Sequence, residues 1–310
     1  MPNYQGVWSL SAQYQNASDW PKTPVRGVFA GGISTTDVMD FINIRSAGNA
    51  VDFGNLLSAT FGLAGGIASS TRGVFAMGHG YSNVIQFITI ATTGDAQDFG
   101  DLSSTRYDGA GASNSTRGLV FGGEESSSSQ VNIIEYITIA SASNAIDFGD
   151  LTVARQNLAA SGNSTRSFAA GGINSGSRSN VIDYVTIAST GNAIDFGDLS
   201  DGTNGSAAAG SATRGLIALG SPSGTAANTV EHIVISTTAN STDFGDLSVV
   251  RSGLGMTSDG ITAVCGGGSG TSDVIDSATI ASTGSFSDFG DLTVSRRDLT
   301  ALSNGHGGLA

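Results

Sequence analysis

Sixteen of the chain's 26 acidic residues recur in register, which opens three kinds of carboxylate chemistry. Carboxylates can hold a hard cation, act as an acid–base pair on a glycosidic bond, or pair with arginines. One column is the first residue of a repeated Asp-Phe-Gly triplet: Asp52, Asp98, Asp147, Asp195, Asp243 and Asp288. A second follows the triplet at Asp101, Asp150, Asp198, Asp246 and Asp291, and a third comprises Asp40, Glu135, Asp183, Glu231 and Asp276. The spacing matches neither a helix–loop–helix calcium loop nor a glycine–aspartate nonapeptide. Asp-Phe-Gly also names the metal-binding triplet of protein kinases, but here it occurs six times, with no catalytic loop and no strand lysine. His79, His232 and His306 do not repeat and have no recognisable partner, and no nucleophile-elbow, zinc or phosphate-loop motif occurs. An active site breaks symmetry, and these copies are nearly alike. The expectation is a non-enzymatic chain with no catalytic residues, no metal and no cofactor. Arginines recur as well, at Arg26, Arg72, Arg117, Arg166 and Arg214, and at Arg106, Arg155, Arg251 and Arg296 or Arg297. Both sets are expected to pair with the acids.

The triplet phenylalanines, Phe53, Phe99, Phe148, Phe196, Phe244 and Phe289, are spaced by 46, 49, 48, 48 and 45 residues. Such a period marks a repeat architecture. Each repeat holds four short β-type segments, here called a to d. Segment d ends in the triplet and segment a follows an arginine. Segment b is Thr-Arg-Gly-Val-Phe-Ala-like and ends in glycines (26–32, 72–78, 117–123, 166–172, 214–220 and 261–267). Segment c is rich in β-branched residues and carries a central aromatic, Phe41, Phe87, Tyr136 or Tyr184, replaced by His232 and Ser277 in the last two copies. Four antiparallel strands per unit and six units predict an all-β, six-bladed propeller. The first repeat lacks segment a and the last carries an extra one from Arg297, so the C-terminal strand is expected to complete the N-terminal blade and close the ring. In this frame Phe packs between blades, Gly makes the following turn and the flanking acids receive hydrogen bonds.

Composition agrees. Gly numbers 45 and Pro only 4 in 310 residues, the texture of many short strands joined by tight turns. The formal charge is −13 and Lys22 is the only lysine beside twelve arginines, which disfavours nucleic acid and anionic membranes as partners. Cys265 is the only cysteine, so no intrachain disulfide forms; it reads as a small buried hydrophobe. No secretory signal and no membrane span are visible.

Residues 1–25 lie outside the repeat and hold both tryptophans. Trp8, Leu10, Tyr14 and Trp20 read either as packing on the propeller's rim or as an anchor to another subunit, with residues 26–310 forming the propeller. The repeats diverge most between b and c, at residues 124–130, 173–179 and 221–227. Loops on a rigid scaffold commonly carry binding, which makes Glu124, Glu125, Ser175, Ser177 and Ser223 candidate contact residues for a protein or glycan.

The order of these segments resembles the kelch repeat. Gly31-Gly32, Gly122-Gly123, Gly171-Gly172 and Gly266-Gly267 match its diglycine, the mid-c aromatics match its tyrosine, and the triplet phenylalanines stand where kelch has tryptophan. The diglycine is broken in copies two and five, at Gly78-His79 and Gly220-Ser221. The fuller wording of the repeats, with an end reading Ser-Asn-Gly-His-Gly-Gly-Leu, resembles repeat proteins of tailed, especially marine, bacteriophages. That resemblance implies a structural or binding module of a virion, as tail fibre, tail tip or head decoration. It would be multimeric within the assembly, held to other virion proteins by its N-terminal segment, and able to meet a host-surface glycan or protein. The alternatives are a free glycan-binding propeller lectin and an intracellular kelch-type scaffold.

Overall fold

The computed structural model describes residues 24–33, 36–126, 129–270 and 272–309. They form six antiparallel sheets, each with four main strands. The innermost a strands are Thr300–Ser303, Ala64–Ala68, Ala110–Ser113, Ala159–Gly162, Ala207–Gly210 and Gly255–Ser258, for blades 1 to 6. The b strands are Arg26–Ala30, Arg72–Ala76, Arg117–Phe121, Arg166–Ala170, Arg214–Ala218 and Thr262–Gly266. The c strands are Val38–Asn43, Ser82–Thr89, Ile133–Thr138, Ser177–Thr186, Thr229–Val234 and Val274–Thr279. The outermost d strands are Val51–Asn55, Gln97–Tyr107, Ile146–Asp150, Ile194–Thr203, Thr242–Asp246 and Ser287–Asp291. Each a strand touches the next around the axis, and the C-terminal strand returns to the first. The seam is a four-residue ladder from Gly27↔Ser303 to Ala30↔Thr300, so the C-terminal strand completes blade 1 as expected.

Six apolar cores lie between neighbouring blades rather than within one. The core between blades 1 and 2 gathers Val28, Ala30, Phe53, Leu56, Phe75, Ile88 and Leu302. Val25, just ahead of the first strand, packs in the core between blades 6 and 1.

The Asp-Phe-Gly triplet is a β-bulge. In blade 1, Asp40 pairs with Asp52 and Met39 with Gly54, which leaves Phe53 unpaired and turned inward. The six triplet phenylalanines are all buried. Phe53, Phe99, Phe148 and Phe196 meet the mid-c aromatic of their own blade edge-on, with centroids 5.9, 6.0, 6.1 and 5.9 Å apart. The triplet glycine makes no turn, contrary to the sequence expectation. It lies inside strand d at φ 138° in Gly54, and a Cβ there would stand 2.5 Å from the Gly94 carbonyl oxygen of the next blade. The triplet aspartates are exposed on six outer edges, where they blunt strand addition rather than accept structural hydrogen bonds. The second acid column contributes its backbone: the Asp101, Asp150 and Asp198 amides donate to Asn144, Asn192 and Asn240 of the next blade.

Candidate binding face

The two arginine columns do different work. Arg26, Arg72, Arg117 and Arg166 lie 4.4, 4.4, 4.4 and 4.6 Å over the mid-c aromatics of their own blades. With Arg214, they reach the next blade and donate to the carbonyls of Ile90, Ile139, Ile187, Ile235 and Ile280. These five latches meet carbonyls and rings, not carboxylates, which corrects the expectation for this column. Blade 6 has Thr262 at this position and Ser277 in place of the aromatic, leaving a depression of about 310 Å³. The seam between blades 6 and 1 is instead held by Arg45 and Asp259, 3.0 Å apart.

The second column is fully buried. Arg106, Arg155, Arg251 and Arg296 precede strand a and pair with the third acid column, Glu135, Asp183, Asp276 and Asp40. The Arg155 guanidinium also donates to the Gly171 and Val181 carbonyls, tying the d–a connection to strands b and c. Burial lowers the pKa of Arg106, Arg155 and Arg296, and the paired carboxylates oppose that shift. The residue three positions earlier completes each unit: the Thr152, Ser248 and Thr293 hydroxyls donate to Asp183, Asp276 and Asp40 at 2.5–2.6 Å, and the Ser103 amide donates to Glu135 at 2.9 Å. In blade 2 all three polar partners change together: Leu57, Thr60 and Gln86 replace hydroxyl, arginine and acid, and the Leu57 amide donates to Gln86 at 2.8 Å. In blade 5 Thr203 replaces the arginine. There the Ser200 and Ser241 hydroxyls serve Glu231, while Thr203 and Ser206 donate to the Leu219 carbonyl.

Register also moves the diglycine. The loop amide bonded back to strand c belongs to Gly31, Met77, Gly122, Gly171, Leu219 and Gly267 in turn, so Gly267-Gly268, not Gly266-Gly267, is the pair of the last copy. The broken copies are Met77-Gly78 and Leu219-Gly220, the two blades without the buried arginine.

The d–a and b–c connections share one face. At its centre Gly62, Asp108, Asn157, Gly205, Gly253 and Asp298 form a closed ring in which each amide donates to the preceding carbonyl, at 2.6–3.2 Å. All six are left-handed, with φ between 54° and 65°, a conformation that favours the Gly, Asn and Asp found there. Asp108, Asn157 and Asp298 line a polar dent of about 70 Å³ on the axis. Asn157 donates to Asp108 at 3.0 Å. Burial first, then the charge of Asp298, pushes the Asp108 carboxyl up to about 7; burial also raises Asp298.

One residue outward, the ring reads Phe61, Tyr107, Gln156, Asn204, Ser252 and Arg297, each joined through the backbone to His79, Glu124, Ile173, Ser221, Ser269 and Ile33. The core repeats, but this ring does not. Phe61 stacks on His79 at 4.1 Å, Tyr107 meets His79 edge-on at 5.9 Å and Tyr81 at 5.1 Å. Tyr107 donates to Glu124 at 3.1 Å, and Gln130 donates to the other Glu124 oxygen at 3.1 Å. Burial, then Asp108 and Glu124, raises the Tyr107 pKa, so its hydroxyl stays protonated and donating. His79 is exposed and the other three rings half-buried.

The other end of the axis is filled by residues 304–309. His306 lies among the a strands, donating from Nε2 to the Ala68 carbonyl at 2.9 Å and accepting the Gly308 amide on Nδ1 at 3.1 Å, and burial lowers its pKa. Burial likewise pushes the Cys265 thiol up to about 12.

Of the loop residues singled out from sequence, Glu124 is buried in a short hairpin with Glu125 and orients the tyrosines. Ser175 is left-handed at φ 48° and its amide donates to Gln130; Ser177 begins the long c strand of blade 4; Ser223 donates to Asp201 at 2.5 Å. Only Glu124 joins the aromatic cluster. Trp8, Leu10, Tyr14 and Trp20 lie outside the described residues. Phe61, Tyr81, Tyr107 and Asp108 escaped sequence reasoning, although aligning the residue after each buried arginine or threonine would have exposed the asymmetry; His79, expected to have no partner, stacks on Phe61. No family model matches the chain, and no curated protein is significantly similar to it.

Proposed function

We propose that the chain is a non-enzymatic structural and binding module of a bacteriophage particle, a tail-fibre, tail-tip or head-decoration propeller with kelch-like repeats. Residues 1–25 attach it to other virion proteins, and the face of d–a and b–c connections meets the host surface. The observation that carries this reading is where the unspent chemistry lies. The four fully buried arginines are consumed in pinning each d–a connection to the c strand of the blade it enters. His306 is committed to the backbone through both ring nitrogens, and His232 lies against Phe244 and Thr242. The varied, half-open aromatic and acidic side chains gather on one face of an otherwise repetitive ring, an arrangement suited to recognition. The phage assignment rests on the resemblance of the repeat wording.

Mass spectrometry of purified particles tests the assignment: the chain is expected among the virion proteins, and its absence from intact virions overturns the reading. Deleting residues 1–23, which leaves Val25 in its core, is expected to leave a folded propeller that no longer assembles onto particles.

A further inference from the structure

We infer that the aromatic cluster of blades 2 and 3, together with the axial dent beside it, is a saccharide-binding site. The inference rests on the reading that this face meets a host surface, and it names the ligand class. A pyranose is amphipathic: one face of C–H groups, a rim of hydroxyls that each donate and accept. The molecule presents both complements side by side. Phe61, His79, Tyr81 and Tyr107 form a platform with polar tips, held in place by the buried Glu124 carboxylate. Next along the chain from Phe61 and Tyr107 are Gly62 and Asp108 of the axial ring, so the platform borders the dent.

The dent favours hydroxyls over a bare cation. Asp108 accepts from Asn157 and lies near Asp298, and burial raises both carboxyls. The pair therefore offers a donor as well as acceptors near neutral pH. A volume of about 70 Å³ holds two waters or so, not a sugar ring. The sugar would lie across the rings and send one or two hydroxyls into the dent in place of those waters. Since, among the described residues, the cluster occurs at one place around the ring, one saccharide binds per chain.

The test uses the full-length chain on a printed array of neutral and acidic oligosaccharides, with saturation-transfer NMR on whichever are retained. At least one saccharide is expected to bind, one per chain. His79→Ala and Tyr107→Ala should each weaken it by about tenfold, while Arg178→Ala, on the same face but spent on Asn204 and the Ser221 carbonyl between blades 4 and 5, leaves it unchanged. His79 is exposed, so its variant keeps the test valid if Tyr107→Ala misfolds. Retention of no saccharide at millimolar concentration overturns the inference, as does binding that neither variant weakens. So does an array with no binder from a chain whose melting temperature rises with Ca²⁺ alone. The particle test is separate. A virion protein that binds no sugar leaves the virion reading standing and removes this inference; a chain absent from virions that binds through these rings does the reverse.

Discussion

Replacing Arg106 by threonine converts blade 3 toward the arrangement blade 2 already has, and the two steps of that conversion should differ sharply in cost. Arg106 and Glu135 form an ion pair with the side chains 0% and 1% exposed. Arg106→Thr leaves the Glu135 carboxylate with the Ser103 amide at 2.9 Å as its remaining strong donor. Stranding a buried charge costs about 3–5 kcal/mol. At about 2–4 °C per kcal/mol, as for a large domain, the midpoint should fall by roughly 6–20 °C. Adding Glu135→Gln removes the charge and keeps the acceptor, as Gln86 does beside Thr60. The double variant should recover about 2 kcal/mol or more of the loss, since a neutral hydrogen-bonded group replaces an unpaired ion. Urea unfolding followed by circular dichroism on wild type, both single variants and the double variant completes the cycle. A cost below about 1 kcal/mol for Arg106→Thr, or no recovery in the double variant, would refute the claim that blades are pinned by charge pairs whose members must change together.

Three further outcomes follow from the same contacts. Asp108 is raised to about 7 in the folded chain, so the native state holds a proton that the unfolded chain releases near pH 4. Stability should therefore decline as pH rises from about 4 to 7 and level off above. Asp108→Asn, which tolerates the left-handed backbone, should flatten that slope in denaturant titrations across pH. His306 shifts the other way: its folded pKa is lowered, so its contribution is complete above about pH 6.5 and is lost as pH falls through the lowered value. Residues 304–309 should become more sensitive to carboxypeptidase at pH 5 than at pH 7.5, and His306→Gln should reduce that difference. Thr262→Arg with Ser277→Tyr fills the depression in blade 6 and supplies the missing sixth latch, which should raise stability by about 1 kcal/mol; an unchanged unfolding midpoint would argue against the latch.

The architecture was legible because one period governs it. Six phenylalanines at near-constant spacing and a segment a displaced to the C-terminus specify blade number and closure, and both are present. Local roles were less legible where they depend on which blade a residue faces. The triplet glycine reads as a turn residue, and only the neighbouring blade's approaching carbonyl shows why it sits within a strand. The first arginine column reads as an ion-pair column, but its partners are rings and carbonyls of the next blade. The aromatic cluster was hidden for a related reason. Phe61 and Tyr107 occupy one repeat position, whereas His79 and Tyr81 come from a different connection, and the four meet only because consecutive blades are side by side.

Cryo-electron microscopy of the purified particle tests the central claim most directly. The account predicts a six-bladed ring on the virion surface, joined to its neighbours through the N-terminal segment, with the face bearing Tyr107 and Asp108 turned outward. A particle with no such ring, or a ring with that face sealed against another virion protein, would contradict it.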